Sequence, residues 1–267
     1  MKKKIENAYA KALTGTFKAV NPIKKSIIKT DCKIHLYINE DALNILNLYG
    51  YKSEYGLFLR HIHHVNRGLI WADQDFKSYH HFYNPKERKG MYGYEDNALT
   101  VSKNYYSKAL KYAQTKEYSK SMFYFGAACH IIQDLTIPQH AKGKLFDNHR
   151  QFEIYVRLNY KKIEKLKSKE SPIILSDIES YADYNSTYAL TVDHMYKDIS
   201  DAKARFYLTA LKAVPLAQRT SAGCMIMFYR DLKNIWYIVN ELTFVVSSFL
   251  FNANASYTWF NLRKNIL

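Results

Sequence analysis

Residues 130–153 read HIIQDLTIPQHAKGKLFDNHRQFE, and five side chains of this stretch are candidate metal ligands by type and spacing: His130, Asp134, His140, His149 and Glu153. His130 and Asp134 are four residues apart, so on a helix they lie on one face, about 5–6 Å between Cβ atoms. His149 and Glu153 repeat that spacing. Because imidazole and carboxylate are the ligands expected for zinc, the stretch predicts a zinc site built from two helices.

Pro138 should end the first of these helices. Proline disfavours helical geometry in the residue before it and cannot donate a backbone hydrogen bond, so we expect the helix to fail near Ile137. The break would turn His140 back towards His130 and Asp134. The alternative is a set of surface histidines and carboxylates. That alternative suits a single pair better than two pairs and a histidine after a proline.

The composition of the chain predicts an all-α protein. Its 267 residues are 48% hydrophobic, enough for a sizeable core. Glycine (nine) and proline (five) are scarce, and apolar residues repeat with helical period over long stretches. The formal net charge of +15 indicates either affinity for nucleic acid, acidic phospholipid or another anionic polymer, or general solubility. Three cysteines with no CxxC pair do not form a disulfide framework.

Several helices can be placed by their apolar spacing. Residues 98–114 and 117–134 predict a helical hairpin, and another helix should begin around His35. The helix that carries His149 and Glu153 is predicted to continue into a lysine-rich run ending near Lys169.

The sequence around His130 resembles the bacterial zinc-dependent phospholipase C family, of the alpha-toxin catalytic-domain type. The matching residues are Phe123-Tyr124-Phe125-Gly126-Ala127-Ala128-Cys129-His130, followed by Asp134, Pro138, His140, His149 and Glu153. Other matching segments occur in the family's order: His35–Asn39, Gly68–Asp73, His81–Pro85 and Ala217–Gly223. The resemblance implies an all-helical domain that holds up to three zinc ions and cleaves phospholipid into diacylglycerol and a phosphorylated head group.

The resemblance also implies a ligand set. One zinc would be held by Asp73, His81, His130 and Asp134, and a second, with an open position, by His140, His149 and Glu153. Asp134 would bridge to a third zinc that His35 also binds, and Asp73 would double as the general base. His81 fits the family pattern better than His80. The cluster His61, His63 and His64 matches nothing in it, so we treat those histidines as non-ligands.

The resemblance divides the chain into a catalytic domain at 34–234, a basic amphipathic extension at 1–33 and an apolar helical extension at 235–267. The first extension either lies on an anionic membrane or packs on the domain. It lacks the continuous apolar run of a secretory signal, which leaves cytoplasmic residence, release by lysis and an unrecognised export route as alternatives. Residues 235–251 contain a charge and are short for a bilayer crossing, so a packed or interfacial helix is expected.

Two departures from the family pattern affect the zinc site and the substrate. Secreted members complete the third zinc site with an N-terminal tryptophan, and this chain has no tryptophan before Trp71. Either the third ion is weak or absent, or another group such as Asp31 or Cys32 replaces the terminus. Choline-recognising members carry aromatic residues where this chain has Gln74 and Ser78, so a preference for phosphatidylcholine is not expected unless Phe76 or Tyr79 takes over that role.

Three functions remain in competition at the level of sequence. The leading hypothesis is a zinc-dependent phospholipase C that acts at a phospholipid membrane surface. A single-strand zinc nuclease of the same fold is the second, and the net charge suits it. Ile137 and Glu153 stand where that branch typically has Gln and Asp, which favours the lipase branch. The third is a non-catalytic zinc protein that binds membranes.

Overall fold

The computed structural model describes residues 32–74, 80–144 and 148–264, with the side chains of the last helix described as far as Tyr237. Within these ranges the secondary structure is helical apart from one isolated β-bridge between Asn84 and Lys89. The helices are α1 Lys33–Leu48, α2 Lys52–Asp73, α3 Ala98–Gln114, α4 Tyr118–Asp134, α5 Pro138–Lys142, α6 His149–Asn159, α7 Ile178–Tyr196 and α8 Ala202–Lys264. The predicted all-α class and the α3–α4 hairpin are confirmed.

Two glycines let α2 and α4 pack with their backbones in direct contact. A Cβ atom on Gly68 would lie 1.7 Å from the carbonyl oxygen of Phe123, and one on Gly126 would lie 1.9 Å from that of Val65. No other residue fits at either position, because a real Cβ cannot approach a backbone atom so closely. Both helices end at a carboxylate, α2 at Asp73 and α4 at Asp134.

Two hydrophobic clusters hold the helices together. The larger is built from α1, α2, α3, α4, α7 and α8, with Phe58, Phe125 and Phe228 fully buried at its centre. The smaller packs Phe152 and Val156 of α6 against the first turns of α8. The smaller cluster therefore fixes the helix that carries His149 and Glu153.

The break at Pro138 follows the prediction. Helix α4 ends at Asp134, Ile137 is extended with φ −97° and ψ 128°, and Pro138 is the first residue of the short helix α5. An extended residue before proline avoids the clash with the proline ring.

The predicted continuation of α6 to Lys169 is wrong. The helix ends at Asn159, and a short 3-10 turn follows at Glu164–Leu166. Gln218, buried on α8, explains this turn: its amide donates to the carbonyl of Leu166 (2.9 Å) and accepts from the N–H of Ser168 (2.7 Å). A continued helix would carry Leu166, which is fully buried, away from α8.

The predicted division of the chain lies partly outside the described residues. Residues 1–31, which make up nearly all of the basic extension and include Asp31, are not described. Helix α8 continues without a break across the predicted boundary at 234, and Ile235 and Trp236 pack against the larger cluster. The three-part division stays a prediction. In the part of the chain that could be searched, no helix has the length and apolarity needed to cross a bilayer.

Candidate metal centre

All eight side chains predicted as ligands come together in one connected set. They arrive from six segments: α1 supplies His35, the end of α2 Asp73, the loop before α3 His81, α4 His130 and Asp134, α5 His140, and α6 His149 and Glu153. Three groups have ligand atoms within 4.8 Å of one another: His35 with His130 and Asp134, Asp73 with His81 and His130, and His140 with His149 and Glu153. Each group is able to hold a metal ion.

Asp134 lies at the centre of the set. Its carboxylate oxygens are 2.7 Å from His81 Nδ1, 3.2 Å from His130 Nε2, 3.4 Å from His35 Nε2 and 4.0 Å from His140 Nε2. Burial alone would raise the pKa of Asp134, but interactions with His130, His140 and His81 outweigh it and hold the pKa well below its usual range. Asp134 is therefore ionised at neutral pH and available to a cation.

Hydrogen bonds fix which nitrogen of two histidines faces the set. His140 Nδ1 donates to the backbone carbonyl of His81 (2.9 Å), and His35 Nδ1 donates to the side-chain oxygen of Gln133 (2.9 Å). In both rings Nε2 is then the bare nitrogen, and it points towards Asp134. Histidines that bind metals are commonly oriented this way, with the second nitrogen donating to a carbonyl or carboxylate.

The buried polar atoms of the set also fit a cation. Within the described part of the chain, Nε2 of His81 and Nδ1 of His130 have no hydrogen-bond partner, although these side chains are only 1% exposed. Such unpaired buried atoms are costly and call for an explanation. Two ligands on one tetrahedral zinc lie about 3.4 Å apart, close to the separations of His130 and His35 from Asp134.

The third group lies nearer the surface. His149 Nε2 is 2.9 Å from Glu153 Oε1, and the Glu153 side chain is 48% exposed, whereas that of Asp134 is 5% exposed. His140 joins this group to the interior, since its ring centroid is 4.5 Å from that of His149. Burial lowers the pKa of His140 to about 3. Burial also acts to lower that of His149, but Glu153 and the other carboxylates outweigh it, so the pKa is raised.

One residue of the site was missed by sequence reasoning. Gln133 is buried beside Asp134, and besides accepting from His35 it donates to Asn39 Oδ1 (2.9 Å) and Ser221 Oγ (3.0 Å). Asn39 in turn donates to Asn66 (2.9 Å). This chain of amides fixes the Gln133 side chain, and hence the ring of His35. A polar residue in an otherwise apolar helix, directly before a candidate ligand, was the available signal.

The remaining candidates lie apart from these groups or outside the described residues. His61, His63 and His64 belong to none of the three groups that the described residues form, and His81 rather than His80 takes part. Cys32 Sγ donates to Asp73 Oδ2 at 3.2 Å. Cys32, one of the two residues suggested above in place of the N-terminal tryptophan, therefore contacts one of the eight predicted ligands. Ser78 is among the undescribed residues 75–79.

A helical domain that closes around buried imidazoles and carboxylates is an all-α fold with side-chain clusters able to hold metal ions. Residues 34–206 match the family model for zinc-dependent phospholipase C, and the chain belongs to that family. No curated protein sequence matches it significantly.

Among solved structures, alpha toxin from Clostridium absonum is similar, with a TM-score of 0.64 and 17% identity over 75% of this chain and 64% of that one. Clostridium perfringens alpha-toxin from avian strain SWCP gives a TM-score of 0.59 and 16% identity over the same shares. At this identity the likeness establishes the fold. The chain spans about two thirds of the length of these toxins, 64% in each case.

Proposed function

We propose that the chain is a zinc-dependent phosphodiester hydrolase of the phospholipase C type, which releases diacylglycerol and a phosphorylated head group. The observation that carries the proposal is the convergence on Asp134 of four histidine side chains from four separate segments, two of them with a hydrogen bond that aims Nε2 at the carboxylate. A purely structural histidine cluster would use its nitrogens in hydrogen bonds.

The proposed ligands divide as the sequence suggested. Asp73, His81, His130 and Asp134 would hold one zinc, and His140, His149 and Glu153 would hold a second. Asp134 would bridge to a third ion, if present, which His35 would also bind. Three carboxylates and five neutral imidazoles carry three negative charges, fewer than the positive charge of two zinc ions. The surplus positive charge would attract the phosphate of a substrate.

Zinc in such a site polarises phosphoryl oxygens and lowers the pKa of a coordinated water towards roughly 7. The protein's own contribution is then to take a proton and to position the phosphate. Asp73 ends α2, and its ligand atom lies within 4.8 Å of those of His81 and His130. In the proposed mechanism its carboxylate would accept the proton of the attacking water. Because Glu153 is half-exposed, the group of His140, His149 and Glu153 is open to solvent and would be open to substrate.

The test is hydrolysis of mixed phospholipid vesicles by the zinc-loaded protein. Release of water-soluble phosphorylated head groups is expected from the wild type and from His63→Ala, a matched control whose histidine is exposed and outside the three groups. In His130→Ala the rate of head-group release should fall by more than the ~10–100-fold that follows the loss of a residue that only orients a metal ligand. Equal rates for His130→Ala and the wild type would contradict the proposal.

The same preparation separates the competing functions. The net charge of +15 favours an anionic polymer as much as a membrane, so single-stranded DNA is included as a second substrate. Degradation of DNA without release of head groups would identify the nuclease. Co-sedimentation with vesicles and no release would identify a non-catalytic membrane-binding protein.

A further inference from the structure

The outward side of α6 carries exposed apolar and basic side chains together. Ile154 is 37% exposed and Leu158 is 58% exposed. Arg150 and Arg157 are exposed as well. Successive members of this set are four, three and one residues apart, so all four lie on one face of the helix. We call these four side chains the outer face of α6.

The opposite side of α6 is occupied by the domain itself. Phe152 and Val156 are buried in the smaller hydrophobic cluster, and the Phe152 ring lies 5.8 Å from that of Phe206 on α8. Single exposed apolar residues are common on protein surfaces and need no explanation. Among the large apolar side chains exposed in the described part of the chain, however, Ile154 and Leu158 alone lie one turn apart on one helix. This pair is therefore a candidate contact for a partner.

The charge around the apolar pair is basic. Lys161 and Lys162 are exposed directly after α6 and extend the charge of its two arginines. Between residues 149 and 162 Glu153 is the one acidic side chain, against four basic ones. Under the proposed function Glu153 would bind zinc, which leaves the surface beside it positive. Such a surface complements an anionic partner.

The apolar pair decides between two anionic partners. Nucleic acids are held mainly by contacts from lysine and arginine to phosphates, and exposed Ile and Leu side chains contribute little to such contacts. An anionic bilayer takes up apolar side chains at the boundary between head groups and acyl chains, while basic side chains contact the head groups. Ile154 and Leu158 beside Arg150 and Arg157 therefore favour a lipid surface.

We propose that the outer face of α6 docks on the surface of an anionic phospholipid bilayer, with its two apolar side chains in the interface and its two arginines on head-group phosphates. Glu153 is three residues from Arg150 and four from Arg157, so it borders the outer face. Docking in this orientation brings the metal-binding group that includes Glu153 to the head groups. This inference rests on the proposed function and adds the surface that meets the substrate.

A dye attached to the outer face tests the docking directly. The three natural cysteines are buried, so a cysteine introduced at an exposed position can be labelled selectively with an environment-sensitive nitrobenzoxadiazole dye. In Leu158→Cys of the zinc-loaded full-length chain, vesicles of phosphatidylcholine and phosphatidylglycerol in equal parts should shift the emission to the blue, because the dye enters an apolar layer.

Leu59→Cys is the matched control for this measurement. Leu59 is 49% exposed and lies beside the exposed Arg60, but α2 has no second large apolar side chain that is exposed. The dye at position 59 should therefore keep its emission when the same vesicles are added.

Substitutions then connect docking with hydrolysis. Ile154→Ser/Leu158→Ser should lower the affinity for these vesicles by about tenfold or more, because two apolar side chains no longer enter the interface. Leu59→Ser should leave the affinity unchanged. Arg150→Gln should lower it by about fivefold and should have no effect on vesicles of phosphatidylcholine alone.

Hydrolysis by the double serine variant should depend on how the lipid is presented. Release of head groups from vesicles at low lipid concentration should fall in parallel with the affinity. Hydrolysis of dihexanoyl phosphatidylglycerol, dissolved as single molecules, should match that of the wild type, and zinc per chain should stay the same.

The outcomes separate docking from the proposed function. An unresponsive dye at position 158, or equal responses at positions 158 and 59, would overturn docking through α6 and leave the hydrolase standing. Loss of zinc or of short-chain hydrolysis in the double serine variant would also overturn it, because the apolar pair would then support the metal centre. A dye at position 158 that responds to single-stranded DNA and not to vesicles would assign the surface to nucleic acid. A response to vesicles in a protein that hydrolyses neither lipid would overturn the proposed function and retain the docking surface.

Discussion

The interior and the rim of the candidate metal centre use the same residue types in different surroundings. The interior group around Asp134 is enclosed by α1, α2 and α4, and its His81, His130 and Asp134 side chains are at most 5% exposed. The rim pair, His149 and Glu153, lies on α6, which packs through the smaller hydrophobic cluster and leaves Glu153 half-exposed. Packing of helices fixes the first group, whereas the second can adjust to what binds.

This difference suggests a division of labour. Interior ligands that are already oriented lose little conformational entropy when a metal binds, so the interior should bind metal more tightly. Under the proposed function, the half-exposed Glu153 would leave space at the rim for a substrate phosphate. We therefore expect the interior to determine metal content and the rim to determine access of the substrate.

The largest effect should come from Asp134→Asn compared with Glu153→Gln. Asp134 approaches four histidines, so loss of its charge should empty the interior and lower phospholipid hydrolysis by well over ~100-fold, beyond the cost of losing an outer-shell partner. Glu153→Gln should release only the rim ion. Zinc per chain, measured by elemental analysis, checks the contrast, and equal metal loss in the two variants would contradict it.

The next effect concerns the close backbone contact between α2 and α4, the helices that carry Asp73, His130 and Asp134. Gly68→Ala should destabilise the fold by about 1–3 kcal/mol, or more, because the new Cβ must push the backbone of Phe123 away. Gly56→Ala, on the same helix, meets nothing within 4 Å and should stabilise by about 0.5–1 kcal/mol. Urea unfolding measures both.

Zinc content should follow the same order. Separation of α2 from α4 moves Asp73 away from His130, so Gly68→Ala should bind less metal than Gly56→Ala. A Gly68→Ala protein as stable and as rich in zinc as the wild type would show that the helix contact does not set the interior geometry.

The local parts of this site could be predicted from the sequence, because they depend on spacing along one helix. His130 with Asp134, His149 with Glu153, and the break at Pro138 follow from helix periodicity and proline geometry. His35, Asp73 and His81 were placed by resemblance, since no periodicity links residues that distant in sequence.

The long-range contacts could not be predicted. The length of α6 depends on Gln218, which is far along the chain, and apolar spacing alone favoured a longer helix. The orientation of Gln133 depends on Asn39 and Ser221, which belong to two other helices. The approach of Cys32 to Asp73 depends on how the ends of α1 and α2 meet.

Gln133→Met should give a moderate effect confined to the interior. Methionine fills a similar volume but cannot accept from His35 Nδ1, so the ring loses the contact that aims Nε2 at Asp134. Zinc affinity should fall by ~10–100-fold, the usual cost of losing such a partner. Gln151→Met, at an exposed position of α6, is the control, and competition with a chromophoric chelator measures both affinities. Unchanged affinity in Gln133→Met would mean that packing alone orients His35.

The smallest effect should appear in the pH dependence of stability of the metal-free protein, where His140 and His149 oppose each other. The pKa of His140 is lowered from 6.5 to about 3, so His140 stays neutral while the unfolded chain takes up a proton. Its stabilising contribution is complete above pH 6.5 and is lost as the pH falls towards 3. The pKa of His149 is raised above 6.5, so its contribution is present below that pH and is lost as the pH rises through the higher pKa.

Single substitutions separate these two contributions. His140→Gln should flatten the loss of thermal stability between neutral pH and the His140 pKa, because the group that resists protonation is gone. His149→Gln should steepen the same loss, because the variant lacks the favourable protonated pair with Glu153. Melting temperatures across this range, with chelator present to keep metal out, give the comparison. Parallel curves for the two variants would mean that the surroundings of His140 and His149 do not differ as the structure indicates.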